Sequence, residues 1–180
     1  MTDILTTAKN HQLGILRTAI SDLEKFEQTV VDVKKISFSR PLIFNDDSLN
    51  ELAKELSTSG KFIYYFTTNQ QQEVSSLFKK FAAKKTDIKL ARHNGHEIEK
   101  SKSLYVGSSN SLQKRFKEHC GLSSKTTYAI KFRDWLTDDN IEIEFHYFQL
   151  DKADQNILQN IEDGLWKTMN PVFGKFGGKY

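Results

Sequence analysis

Cysteine, proline and long apolar runs are scarce in this sequence of 180 residues. The single cysteine, Cys120, excludes an internal disulfide and a zinc site built from several cysteines. No apolar run approaches the roughly 18 residues of a membrane-spanning helix. The first residues, MTDILTTAKN, lack the basic start and apolar stretch of a signal peptide. We therefore expect a cytoplasmic protein that makes no contact with a membrane.

The sequence is rich in aromatic side chains and has a local excess of positive charge. Thirteen phenylalanines supply apolar volume for a core, which argues against disorder. The net charge is only +3, but residues 79–133 contain 14 Lys or Arg and 4 Asp or Glu. Such a basic stretch is typical of a surface for a polyanion, with phosphate as the usual partner. A solvated Lys-rich face is the alternative, and charge alone favours it.

Hydrophobic periodicity and turn residues predict mixed helices and strands. The predicted helices are 3–33, 48–56, 70–83, 111–120, 126–136 and 152–168. The predicted strands are 61–67, 103–108 and 141–149, with a shorter one at 87–91. This order from residue 60 onward predicts an α+β fold around a small sheet. The apolar stripe of helix 3–33 suits packing on the domain or pairing with a second copy of the chain.

Two short aromatic motifs and three polar side chains stand out together. FIY (62–64) lies in the first predicted strand, and YVG (105–107) ends the second. Arg115 follows the glycine of the second motif by eight residues. Arg115 and His119 are four residues apart, so they share one helix face. Glu162 lies near the apolar stripe of the last helix, where an unpaired carboxylate is costly.

In order and spacing, these residues resemble the GIY-YIG nuclease family, including the nine residues from Glu162 to Pro171. The similarity covers about residues 60–174. It implies an α+β domain with a small three-stranded, mostly antiparallel sheet flanked by helices. Residues 1–57 would then be a helical N-terminal extension and 58–180 the nuclease domain. A helical insertion, 68–102, would separate the first two core strands.

The resemblance also implies an activity, that of a divalent-metal-dependent endonuclease that hydrolyses DNA. Glu162 would hold one Mg²⁺ or Mn²⁺, which needs few protein ligands. Arg115 would contact the phosphate through its planar fork of donors. Tyr64 is the leading candidate for the general base, and Tyr105 would orient the water or share that role. His119 would accept or relay the proton.

The sequence departs from the family pattern at three places. Phe62 replaces the glycine of the first motif, and residues 65–104 form an unusually long connection. Gly174 stands where the family has a supporting Asn, for which Asn170 or Asn110 are substitutes. These departures keep a second hypothesis open, a catalytically impaired GIY-YIG-like domain that only binds DNA.

Further basic residues extend the expected contact with double-stranded DNA, since Lys and Arg position the phosphate backbone. They are Lys79, Lys80, Lys84, Lys85, Arg92, Lys114 and Lys117. His93 and His96 have a spacing found in some metal sites, but a polar loop explains them better. A restriction or DNA-processing role is compatible with the size of the chain. One site cuts one strand, so a double-strand break requires a homodimer or two successive nicks.

Overall fold

The computed structural model describes residues 2–26, 33–69, 74–84, 89–92, 94, 98, 101, 103–122, 126–137 and 140–177. Within these ranges the α-helices are Thr2–Lys25 (α1), Arg40–Phe44 (α2), Asp46–Lys54 (α3), Val74–Ala82 (α4), Leu112–Cys120 (α5) and Gln155–Met169 (α6). The strands in the same ranges are Lys34–Ser39 (β1), Phe62–Thr68 (β2), Tyr105–Ser109 (β3) and Glu142–Gln149 (β4). None of these helices has the length and apolar character needed to cross a membrane.

The strands form one antiparallel sheet in the order β1-β4-β2-β3. The predicted α+β fold is confirmed, and its three expected strands are β2, β3 and β4. A fourth strand, β1, adds an edge to the sheet beside β4, and the sequence did not predict it. Its sequence KKISFS has only two apolar residues, Ile36 and Phe38, and of these only Phe38 is buried, so the alternation is too short to predict a strand.

The two faces of the sheet are covered by different helices. On one face Tyr64, Phe66 and Phe145 join a large aromatic core, in which the Phe66 and Phe145 ring centroids lie 4.7 Å apart. Helices α3, α4 and α5 contribute buried side chains to this core. On the other face Ile63 packs with Leu158 of α6. Because successive side chains of β2 point to opposite faces of the sheet, this strand contributes to the core on both sides.

The region after α5 differs from its prediction. The helix expected over 126–136 is wrong, since the structure has only a short 3-10 helix, Phe132–Asp134. Lys131 has φ of 54°, a left-handed conformation that does not continue a helix. Ala129 instead forms a parallel bridge with Leu90. Of the strand expected at 87–91, the structure describes 89–91, and this isolated bridge is its extended pairing there.

Helix α1 ends earlier than the predicted 3–33 and packs mainly beside α6. Leu13, Ile20 and Leu23 are each more than a third exposed, so much of its apolar stripe is uncovered. Val30, the last member of that stripe, lies outside the described residues.

Candidate functional site

The paired strands β2 and β3 bring the two motif tyrosines together. Tyr64 pairs with Gly107 and Phe66 with Tyr105 in the antiparallel register. The rings of Tyr64 and Tyr105 are stacked, with centroids 6.1 Å apart and planes 10° from parallel. The two phenol oxygens therefore point to the same neighbourhood, which α5 then completes.

Gly107 is required by the close approach of these rings. A Cβ at this position would lie 2.7 Å from the hydroxyl oxygen of Tyr64 and 2.8 Å from a ring carbon of Tyr105. Real Cβ atoms essentially never come so close, so any side chain here would push the phenols apart. Packing against the two tyrosine rings therefore explains the glycine of the second motif, YVG.

Arg115 links both phenols. Its Nε donates to the Tyr64 oxygen at 3.0 Å, and one Nη donates to the Tyr105 oxygen at 3.2 Å. The other Nη donates to Glu118 Oε2 at 2.7 Å and to the carbonyl oxygen of Tyr128 at 3.1 Å. These contacts fix the guanidinium plane, because each of its three nitrogens has a partner.

Glu118 is a member of the Arg115 network that the sequence analysis missed. Its side chain is only 7% exposed and forms an ion pair with Arg115 one helical turn earlier. A glutamate three residues after an arginine on a short helix was the available signal. The pair explains how a buried carboxylate is tolerated and how Arg115 is held beside the phenols.

His119 is fully buried and donates to Tyr64. The backbone N–H of Ile130 donates to its Nδ1 at 3.2 Å, so the neutral ring carries its proton on Nε2. That Nε2 lies 3.1 Å from the Tyr64 oxygen and is the donor to it. Burial, and then the charge of Arg115, lowers the pKa of His119 well below its usual value. The ring is therefore a positioning group in its neutral form.

The depressed pKa of His119 predicts a pH-dependent stability. The unfolded chain takes up a proton on this ring near pH 6.5, whereas the folded ring stays neutral at lower pH. Below that pH acid therefore favours unfolding, by about 1.4 kcal/mol per pH unit until the folded pKa is reached. His119→Gln keeps a donor for Tyr64 and an acceptor for Ile130 but does not titrate. We expect the variant to lose this acid-dependent part of the unfolding free energy.

Urea denaturation at about pH 7.5 and about pH 5 measures the effect, since the free energy of unfolding is extrapolated at each pH. His11→Gln is the matched control, because His11 is exposed on α1. Equal pH dependence in His119→Gln and the wild type would show that the buried ring titrates normally.

The two tyrosines differ in burial. Tyr64 is fully buried, and its oxygen accepts from both Arg115 and His119. Burial, together with the nearby Tyr105 oxygen, raises the pKa of Tyr64 well above its usual value in spite of these donors. Tyr105 is half-buried and lines a surface cleft. Of the two phenols, Tyr105 is the one that a bound molecule can reach.

Glu162 joins the site from α6. Ser108, next to Gly107 on β3, donates its hydroxyl to Glu162 Oε2 at 2.5 Å. Burial raises the pKa of Glu162, while the Ser108 hydrogen bond and the charge of Arg115 act in the opposite direction. Ser108 belongs to β3, so this hydrogen bond joins α6 to the strand that carries Tyr105.

The donor set around Glu162 suits a hard cation with few protein ligands. Mg²⁺ commonly binds through one or two carboxylates and keeps several waters. The described ranges contain no group of three or more His, Cys, Asp or Glu side chains that could together hold a metal ion. A single carboxylate oxygen at the site fits such an ion.

A cleft of about 700 Å³ opens beside Tyr105 and Arg115. It is lined by Leu90, Ala91, Arg92, Tyr105, Arg115, Tyr128, Gly174 and Lys175. Three of these side chains are cationic, so the cleft suits a phosphate group. Lys175 and Tyr128 are cleft residues that the sequence analysis did not select.

Gly174 contributes to the shape of this cleft. It has φ of +102°, and a Cβ there would lie 3.0 Å from the ring of Tyr105. A side chain such as Asn is therefore unfavourable at this position. Asn170 is the left-handed C-cap of α6, and Asn110 is exposed after β3.

The remaining predicted contact residues are distributed more widely. Arg92 lines the cleft. Other described lysines lie on α4 and α5 or just after α4, outside the cleft lining, and these are Lys79, Lys80, Lys84, Lys114 and Lys117. Lys85, His93 and His96 lie outside the described residues.

Residues 92–172 match the family model of the GIY-YIG catalytic domain. This confirms the resemblance predicted from the motifs, and the α+β architecture agrees with it. The match begins after β2 and therefore does not include the first motif, FIY. The pairing of β2 with β3 in the structure shows that this motif lies beside the second one. No curated protein and no solved structure is significantly similar to the chain. GIY-YIG catalytic domains are nuclease domains, so the match indicates a nuclease activity in general terms.

Proposed function

We propose that this protein is a divalent-metal-dependent endonuclease that hydrolyses DNA phosphodiester bonds in the cleft beside Tyr105. The observation that carries the proposal is the guanidinium of Arg115, which bonds both motif tyrosines and lines the cleft. An arginine that is tied to two phenols at a basic opening suits a phosphate undergoing attack by water.

Each side chain then has a role in the reaction. Arg115 contacts the scissile phosphate and offsets the charge that develops on it. Tyr105 faces the cleft and, in its phenolate form, takes a proton from the attacking water and becomes a phenol, while Arg115 donates a hydrogen bond to its oxygen. Tyr64 and His119 are fully buried and hold Arg115 and the Tyr105 ring in place. Burial favours Tyr105 over Tyr64 for the proton transfer.

Glu162 is the proposed ligand of Mg²⁺ or Mn²⁺. When bound there, the cation supplies charge neutralisation at the phosphate and at the leaving oxygen. Ser108 orients the carboxylate by donating to Oε2.

A cleavage assay with purified protein tests the proposal. Supercoiled, linear and branched DNA are incubated with Mg²⁺, with Mn²⁺ or with EDTA. We expect metal-dependent cutting that Glu162→Gln and Tyr105→Phe both lose, because one variant removes the metal ligand and the other the proton acceptor. Both substitutions preserve shape, so DNA binding is expected to persist.

The binding-only hypothesis predicts a different result. DNA would bind with an affinity that falls linearly on a log–log plot against salt. None of the substrates would be cut with either metal. That combination would refute the nuclease proposal and support a DNA-binding domain.

A further inference from the structure

Tyr128 is a large aromatic side chain that the fold leaves exposed. Its side chain is 62% exposed, whereas the aromatic rings of Phe116 and Phe132 nearby in the sequence are fully buried. The ring lines the cleft described above, and the Nζ of Lys89 lies 5.3 Å from its centroid. Core packing therefore gives no reason for an aromatic residue at this position.

The position of Tyr128 is fixed relative to the phosphate-binding group. Its carbonyl oxygen accepts from Arg115 at 3.1 Å, so the same guanidinium that faces the scissile phosphate holds the backbone of Tyr128. Tyr128 and Arg115 line the same cleft, so a nucleotide whose phosphate lies at Arg115 has its base within the cleft that this ring lines. Lys89 adds a positive charge on the same side of the cleft.

We propose that Tyr128 is a stacking surface for an unpaired nucleobase next to the scissile phosphate. This inference rests on the proposed function and deepens it by naming the substrate class, DNA with an unpaired nucleotide at the cleavage point. Aromatic side chains stack on bases of any sequence, because every base has a π-face. In an intact duplex both faces of a base are covered by neighbours, and exposing one requires unstacking.

Binding of two labelled oligonucleotides in EDTA tests this without requiring cleavage. One is a fully paired duplex, and the other is the same duplex with a single unpaired 2-aminopurine nucleotide, whose fluorescence reports stacking. We expect the wild type to bind the second roughly 10- to 100-fold more tightly and to quench its fluorescence. Tyr128→Phe is expected to keep this preference, and Tyr128→Leu is expected to lose it.

Phe44→Leu is the matched control. Phe44 is also an exposed aromatic with a cation over its ring, since the guanidinium carbon of Arg40 lies 4.6 Å from the centroid, but it does not line the cleft. It is expected to behave as the wild type. Circular dichroism confirms that each variant is folded.

The outcomes separate the two proposals. Equal affinity of the wild type for both oligonucleotides, or an undiminished preference in Tyr128→Leu, overturns the stacking inference whatever the cleavage assay shows. A preference that Tyr128→Leu abolishes, without cutting in either metal, keeps the stacking surface and refutes the nuclease proposal.

Discussion

Replacing Arg115 by alanine is expected to lower cleavage by at least about 10²-fold and to lower the free energy of unfolding by about 3–5 kcal/mol. The lost side chain bonds Tyr64, Tyr105 and Glu118. Its removal leaves the Glu118 carboxylate, 7% exposed, without its ion-pair partner. Urea denaturation and the cleavage assay together measure the two effects.

A double variant separates stability from catalysis. Arg115→Met with Glu118→Gln removes both charges while keeping most of the volume, so most of the lost stability is expected to return. Cleavage should remain about 10²- to 10³-fold below the wild type, which is typical for loss of a donor to the transition state. Recovery of cleavage along with stability would show that Arg115 has only a structural role.

Substitution of Gly107 by alanine is expected to give the second large effect. The new Cβ would lie within 3 Å of both motif tyrosines, so the phenols must move out of their contacts with Arg115. We expect a loss of stability of about 1–3 kcal/mol, as in other overpacked sites. Cleavage is expected to fall by about 100-fold, because misplacing catalytic groups by an ångström has effects of that size.

Gly164→Ala is the control for this experiment. Gly164 lies on α6 two residues after Glu162, and a Cβ there would meet nothing within 4 Å. Alanine is expected to stabilise the helix by up to about 1 kcal/mol and to leave cleavage unchanged. Cleavage in Gly107→Ala equal to that of the control would mean that the stacked phenols are not needed for the reaction.

Much of the phenol–guanidinium network could be predicted from local patterns. Tyr64 lies in a segment rich in aromatic and branched residues that predicts a strand, Tyr105 lies in a second predicted strand, and paired strands bring such residues together. The four-residue spacing of Arg115 and His119 placed both on one face of α5. Strand composition and helical spacing are local features, and the sequence shows them directly.

The remainder depends on tertiary contacts that no local pattern reports. The proton position on His119 is set by a backbone amide from the segment after α5, where a helix was expected. The complete burial of Tyr64 results from packing on all sides, so the sequence did not show that Tyr64 is more buried than Tyr105. Strand β1 was missed because its partner, β4, lies more than 100 residues away.

The position of β1 bears on where a shorter fragment of the chain can begin. Phe38 contacts the rings of Phe66, Phe116 and Phe132, at centroid separations of 6.4, 5.4 and 5.9 Å. A fragment that starts after α3 would lose Phe38, which packs between the sheet and α5, the helix that carries Arg115. It would also uncover the hydrogen-bonding edge of β4, which invites aggregation. A recombinant fragment meant for crystallisation should therefore start ahead of Lys34.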